Sequence, residues 1–159
     1  MKKSMIIIAV IIAIIVVGIG IAFSNMDNNI NVDIQKLAEE LINAQIFEDD
    51  LSPIERDSVI KKYNFSDKNI KNINSYVGTG ATSEEILIIE LLNKEDINTM
   101  KKIIETKIEE RKIDFENYLP KEVYKLENYN LEIRGNYIIL CISSDYDKAK
   151  EIIDIYINR

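Results

Sequence analysis

The chain has 159 residues, 20 of them basic and 27 acidic, for a formal charge of −7. It contains no His, no Trp and a single Cys, which excludes His-based catalysis, a His-ligated metal and an intramolecular disulfide. The acidic balance also argues against general nucleic-acid binding, because the phosphate backbone rewards net positive charge.

Residues 1–4, with Lys2 and Lys3, read as a cytoplasmic stub. Residues 5–23, MIIIAVIIAIIVVGIGIAF, hold no polar side chain. As a helix they would span about 28 Å, close to the hydrocarbon core of a bilayer. The mean hydropathy of −0.09 hides this segment. It is expected to be a transmembrane signal anchor, with the positive flank in the cytoplasm and the C-terminal part outside. The alternative is a secreted protein cut near Ser24 after small residues, but the apolar stretch exceeds the about 7–15 residues of a signal-peptide core. No Cys stands at the end of the stretch, so a lipid-modified N-terminus is not expected. Residues 24–30 form a polar linker, and 31–159 an extracytoplasmic domain. Linker and domain together, residues 25–159, hold 18 basic and 27 acidic residues, a charge of −9. Such a domain stands off anionic lipid heads.

Apolar spacing predicts a helix over 32–47, capped by Asn31 with Asp33 in its first turn. The acidic run Glu48-Asp49-Asp50 ends it. Ser52 and Pro53 are expected to start a second short helix, with Pro at the first helical position. Residues 70–77 alternate as an edge strand does, Ile73, Ser75 and Val77 against Asn72, Asn74 and Tyr76. Gly78-Thr79-Gly80 turns the chain into 85–92, which is apolar on both faces and reads as a central strand. Residues 94–119 give the longest helix, with a stripe of Ile97, Met100, Ile104, Ile108, Arg111, Phe115 and Tyr118, stopped by Pro120. Residues 121–126 allow one or two more helical turns. Tyr129, Leu131 and Ile133 then alternate with Asn130, Glu132 and Arg134, and Gly135-Asn136 makes a two-residue hairpin turn. The return strand covers 137–143, and Ser144 or Asp145 caps a last helix carrying Ala149, Ile152, Ile153 and Tyr156 on one face. The order predicts an α+β domain with a small, mostly antiparallel, four-stranded sheet and helices packed on one face.

Three stretches carry a likeness: Ala81-Thr82-Ser83-Glu84-Glu85-Ile86, Phe115-Glu116-Asn117-Tyr118-Leu119-Pro120-Lys121-Glu122-Val123 and Arg134-Gly135-Asn136-Tyr137. In order and spacing they resemble a domain-of-unknown-function family of small extracytoplasmic proteins of Gram-positive bacteria, over roughly residues 30–157. The resemblance implies an N-terminal anchor, either a membrane helix or a lipobox, and the missing lipobox Cys favours the helix. The family has no established catalytic or binding residues to carry over.

Candidate sites are few, and no cofactor or metal is expected. Asp145-Tyr146-Asp147 has a cation-like spacing, but one carboxylate pair is not a site for a hard cation, and a helix cap explains it. Glu48-Asp49-Asp50 could supply half of an acidic pair, and reads more simply as a solvated loop. Gly78-Thr79-Gly80 superficially resembles a phosphate loop, yet a strand follows it where a helix N-terminus is needed. Cys141, within the apolar run 137–142, is expected to be buried and inert. The candidate interaction surface is Tyr118, Pro120, Glu122, Asn136 and Tyr137, drawn from the helix end and the hairpin turn, because Tyr gives rigid contact area. The simpler expectation is that Tyr118 packs under the hairpin. The charged face of the long helix is read as solvated and held by i,i+4 pairs.

These features point to a membrane-tethered, extracytoplasmic, non-catalytic interaction module. Its partners are the membrane, through residues 5–23, and an envelope protein or a second copy, with no nucleic acid. Small sheets with helices on one face also occur in envelope and sporulation machinery, so a role there is compatible. The alternatives are a small-ligand binder or a carboxylate-based envelope hydrolase, for which a facing carboxylate pair would be required.

Overall fold

Residues 31–157 are described by a computed structural model, and their organisation follows from one strand. β3 (Glu85–Leu91) is buried at every position. A strand apolar on both sides must be covered on both sides. Its neighbours in the sheet are β2 (Ile70–Val77) and β5 (Tyr137–Ile142), both antiparallel to it. β4 (Asn130–Arg134) pairs with β5 through the predicted hairpin, with Gly135 at φ +58° in the turn, where a left-handed backbone is required. The two-residue β1 (Ser52–Pro53) lies beside β2.

The sheet is antiparallel and five-stranded, in the order β1-β2-β3-β5-β4, so the expected count of four is corrected. The extra strand holds Ser52 and Pro53, which were expected to open a helix. Proline has no N–H to give a ladder, and an edge strand is where a sheet tolerates it. Ile54 takes over the pairing, its amide donating to the Ser75 carbonyl at 3.0 Å. The helix then starts one turn later, as α2 (Arg56–Tyr63).

The helices cover both faces of the sheet, which corrects the one-sided expectation. On one face α2, α3 (Ile97–Tyr118) and α4 (Val123–Glu127) close over Leu87, Ile89, Leu91, Ile138, Leu140 and Ile142 as a single apolar core. Ile97, Met100, Ile104 and Ile108 of the predicted stripe enter it. On the other face α1 (Ile34–Asn43) and α5 (Tyr146–Ile157) pack together over the sheet. They bring Leu37, Ala38, Leu41, Ala149 and Ile153 to the side that carries Ile86, Ile88, Ile139 and Cys141. Cys141 is fully buried and unpaired, and burial pushes its thiol up to about 12.

Helix ends differ from the expectation in detail. Asp33, not Asn31, caps α1 by accepting the Lys36 amide at 3.1 Å. α1 stops at Asn43 rather than Phe47, because Gln45 turns the chain at φ +57°. A 3-10 turn at Lys94–Asp96 precedes α3, and another at Pro120–Glu122 leads into α4. The segment 5–23 expected to cross the membrane lies outside the described residues. Among the described residues no helix is long and apolar enough to do so.

Candidate functional site

A strand buried on both faces has no solvent for its charges. Glu85 opens β3, Glu84 and Ser83 precede it, and all three are buried. Charge at such a place is costly unless it is paired and hydrogen-bonded. The Glu85 carboxylate takes the Lys62 ammonium of α2 and the Arg111 guanidinium of α3, each at 2.7 Å, and the Tyr63 hydroxyl at 2.9 Å. Arg111 also donates to the Ser83 carbonyl at 2.8 Å. Tyr63 stacks on Phe65 with ring centroids 4.9 Å apart, which fixes its hydroxyl. Burial, then the Glu85 charge, raises the Tyr63 phenol well above its ordinary value.

A second knot lies beside the first. Lys125 of α4 is buried against three carboxylates, Glu84 at 3.1 Å, Glu122 at 3.2 Å and Glu48 at 3.3 Å. Glu84 also accepts the backbone amides of Glu48 and Asp49, both at 2.9 Å. Glu122 accepts the Ser83 amide at 2.8 Å. Burial pushes the Glu122 carboxyl up, but the Ser83 amide and then Lys125 outweigh it and hold it below its usual range. For Lys125 burial works downward, and the bonds to Glu84 and Glu122 leave it raised.

A surface latch extends this knot. Asp49 accepts the Thr79 amide and hydroxyl, each at 2.7 Å, and the Thr82 hydroxyl at 3.3 Å. The Thr79 amide is the main reason its carboxyl is held low. Gly78 permits the approach, since a Cβ there would lie 2.5 Å from the Thr82 hydroxyl and 2.9 Å from an Asp49 carboxylate oxygen. The Gly78-Thr79-Gly80 turn therefore holds a carboxylate of its own chain, and a strand does follow it. Glu48-Asp49-Asp50 is tied into the fold rather than free.

Between α2 and α3 opens a groove of about 770 Å³. Lys61 and Lys62 stand on one wall, and Lys102 and Lys107 on the other with Thr99, Ile103 and Thr106. The α3 residues fall at steps of three and four, one face of the helix. Lys62 belongs to both places, since it lines the groove and bonds Glu85. Burial lowers its ammonium first, Arg111 and Lys107 lower it further, and Glu85 opposes them. Glu110, which also lines the groove, pairs with Lys107 at 2.9 Å. Lys61 and Lys102 have no partner among the described residues.

The five sequence-derived surface residues fall in two places. Tyr118, Pro120 and Glu122 lie where α3 runs into α4, near the start of β3. Tyr118 is 73 % exposed and does not pack under the hairpin, Pro120 is exposed, and Glu122 is 1 % exposed inside the Lys125 knot. Asn136 and Tyr137 lie at the far end of β3. Asn136 donates to the Leu91 carbonyl at 2.7 Å, and Tyr137 is buried beside Glu90. Glu90 there also takes Lys71 at 2.7 Å and Asn72 at 2.6 Å. Asp145 accepts the Lys148 amide at 3.0 Å, as a helix cap does. Among the described residues no group of three or more acidic or Cys side chains is placed to hold a metal.

Sequence reasoning missed Ser83, Glu84, Glu85, Lys62 and Lys125 as a network. The signal was present in two halves. Glu85 heads a strand apolar on both faces, and Arg111 interrupts the apolar stripe of the long helix. Two opposite charges on buried faces must find each other.

Searches of curated proteins and of solved structures return no match. A family model described as a domain of unknown function matches residues 45–143, which contain the whole charge network and the whole sheet. The chain belongs to this family, DUF4358.

Proposed function

We propose that this chain is a membrane-tethered extracytoplasmic binding module, anchored by residues 5–23 with its N-terminus in the cytoplasm, that takes a partner or ligand without turning it over. Its setting would be the envelope of a Gram-positive bacterium, with an envelope protein or a second copy among its partners. The observation that carries the reading is the state of the buried carboxylates. Glu84, Glu85, Glu90 and Glu122 are each held by cations, amides or hydroxyls of the fold itself. A hydrolytic pair needs two carboxyls facing a cleft, one free to give a proton and the other to meet a sugar or a water. These four instead brace the strand on which the sheet is built. The apolar length of 5–23 and the charge of −9 beyond it support the anchored, standing-off arrangement.

The test is a pair of reporters fused to the C-terminus of the full chain, one active only outside the membrane and one only inside. Activity of the outside reporter in the membrane fraction is the expected result. Activity of the inside reporter, or release of the whole fusion into the medium, defeats the anchored reading. Loss of membrane association on replacing 5–23 by a cleavable leader, with the fold of 31–157 unchanged by circular dichroism, would complete it.

A further inference from the structure

Among the described residues, the groove between α2 and α3 brings two lysines without an acidic partner, Lys61 and Lys102, beside two paired ones, Lys62 with Glu85 and Lys107 with Glu110. Four lysines line it against one glutamate, and the chain as a whole carries −7. Lys61 and Lys62 lie in the last turn of α2, where cations suit the helix dipole. That accounts for one wall only, because Lys102 and Lys107 are in the body of α3. Elsewhere on α3 cations are answered, as Lys101 is by Glu105 and Lys112 by Glu109. Lys102 has no such answer among the described residues, and neither does Lys61 across from it.

We propose that this groove binds a ligand carrying two or more phosphate groups, held by Lys61, Lys62, Lys102 and Lys107. The lining selects the chemistry. The positive charges of the lining are all lysine ammoniums, compact point charges that meet a tetrahedral oxyanion from any side. Asn64, Asn98 and Thr99 add neutral donors for the remaining oxygens. Lys102 and Lys107 are separated by about 7.5 Å along the helix axis, and the two α2 lysines face them. One small oxyanion cannot serve both walls and both levels, whereas a chain of phosphates can. Lys62 is held by Glu85 through the buried network, so at least one cation is fixed in place before a ligand arrives, which lowers the ordering cost of binding.

This inference deepens the binding-module reading and rests on its non-catalytic half alone, so a failed titration and a failed reporter test are separate results. The full chain in non-ionic detergent is titrated calorimetrically with orthophosphate, tripolyphosphate and long-chain polyphosphate. Tripolyphosphate is expected to bind saturably, roughly ten-fold or more tighter than orthophosphate, and more weakly as salt rises. The double variant K61E/K102E should lose at least about ten-fold, while K68E/K121E, with the same change in net charge away from the groove, keeps its affinity. The milder pair K61Q/K102Q should fall in the same order, so the result does not hang on the reversal being tolerated. Tighter binding per site of the long chain identifies a polymeric source, and equal binding a small soluble one; both uphold the site. No saturable binding of tripolyphosphate, equal loss in both glutamate variants, or equal affinity for orthophosphate would overturn it.

Discussion

Two lysines of the same domain meet opposite fates. Lys125 is shut inside α4 against three carboxylates, and Lys102 stands in the groove wall of α3 without one. Their intrinsic chemistry is identical, so only the surroundings separate a brace from a binding group. The brace is closed because the strand beneath it is buried on both faces and cannot leave a charge unanswered. The groove is open because its lysines stand on the outer faces of two helices, above the apolar core that those helices share. Lys62 joins the two, with its ammonium on Glu85 and its flank in the groove. Closed charges therefore belong to the stability of the fold, and open ones to what it meets.

The sharpest way to break this contrast is to remove the closed lysine. Lys125→Met leaves Glu84 and Glu122 buried without their cation and should cost about 3–5 kcal/mol, read as a lower urea midpoint at unchanged slope. A loss below about 1 kcal/mol would mean that water reaches the knot and that it is not closed. The same knot governs the acid limb. Glu122 and Glu90 titrate below the ordinary carboxyl value in the folded chain. Their contribution is therefore complete above the unfolded pKa and is lost as the pH falls through the lower folded one. Stability measured downward from neutral pH should stay level until that range and then drop. In Lys125→Met the folded Glu122 carboxyl rises towards its unfolded value, so the Glu122 part of the drop should be smaller and end at higher pH.

Glu85→Gln comes next. It keeps the shape of the strand and removes the charge that Lys62, Arg111 and Tyr63 share, so about 2–3 kcal/mol should be lost. The loss should stay below that of Lys125→Met, because Lys62 is partly exposed and can turn to water. Gly78→Ala should cost less again, about 1–3 kcal/mol, by driving a methyl group into the Thr82 hydroxyl and Asp49. If the Glu84 knot survives it, the losses of Gly78→Ala and Lys125→Met should add, whereas a double variant that loses less than their sum would show latch and knot acting together.

Much of the sheet was legible in the sequence for local reasons. Period-two alternation over 70–77 and 130–134, the hairpin turn at Gly135 and the double-sided apolarity of 85–91 are properties of neighbours in the chain. The second helical layer was legible in composition, since a strand apolar on both faces calls for cover on both. The one-sided expectation neglected that consequence of its own reading. Ser52-Pro53 was illegible because Pro suits a helix start and an edge strand equally well, and only the proximity of β2 decides between them. The buried network was half legible, through Glu85 and Arg111. Its second knot was not, because Glu48, Glu84 and the Glu122–Lys125 pair come from three segments far apart in the chain. The surface expected around Tyr118 and Tyr137 came from adjacency in a likeness, and β3 holds its two parts at opposite ends.

The smallest effect is the most telling for the contrast. Lys61→Ala with Lys102→Ala removes two cations that have no partner among the described residues and truncates two exposed side chains. Surface substitutions of this kind change stability by no more than about 0.5 kcal/mol. Here the sign also matters. Removing uncompensated like charge beside Lys62 and Lys107 relieves repulsion, so the double variant should melt at the wild-type temperature or slightly above it, with the difference shrinking as salt is added. A fold selected for stability alone would gain by filling these positions with glutamate, as it has at Glu105 and Glu109 on the same helix. If the alanine variant were clearly destabilised, Lys61 and Lys102 would be braces like Lys125, and the groove would lose its claim to be an open site. If it is neutral or stabilised, the cost of holding these lysines apart is tolerated for something other than the fold, and the phosphate titration is the measurement that says what.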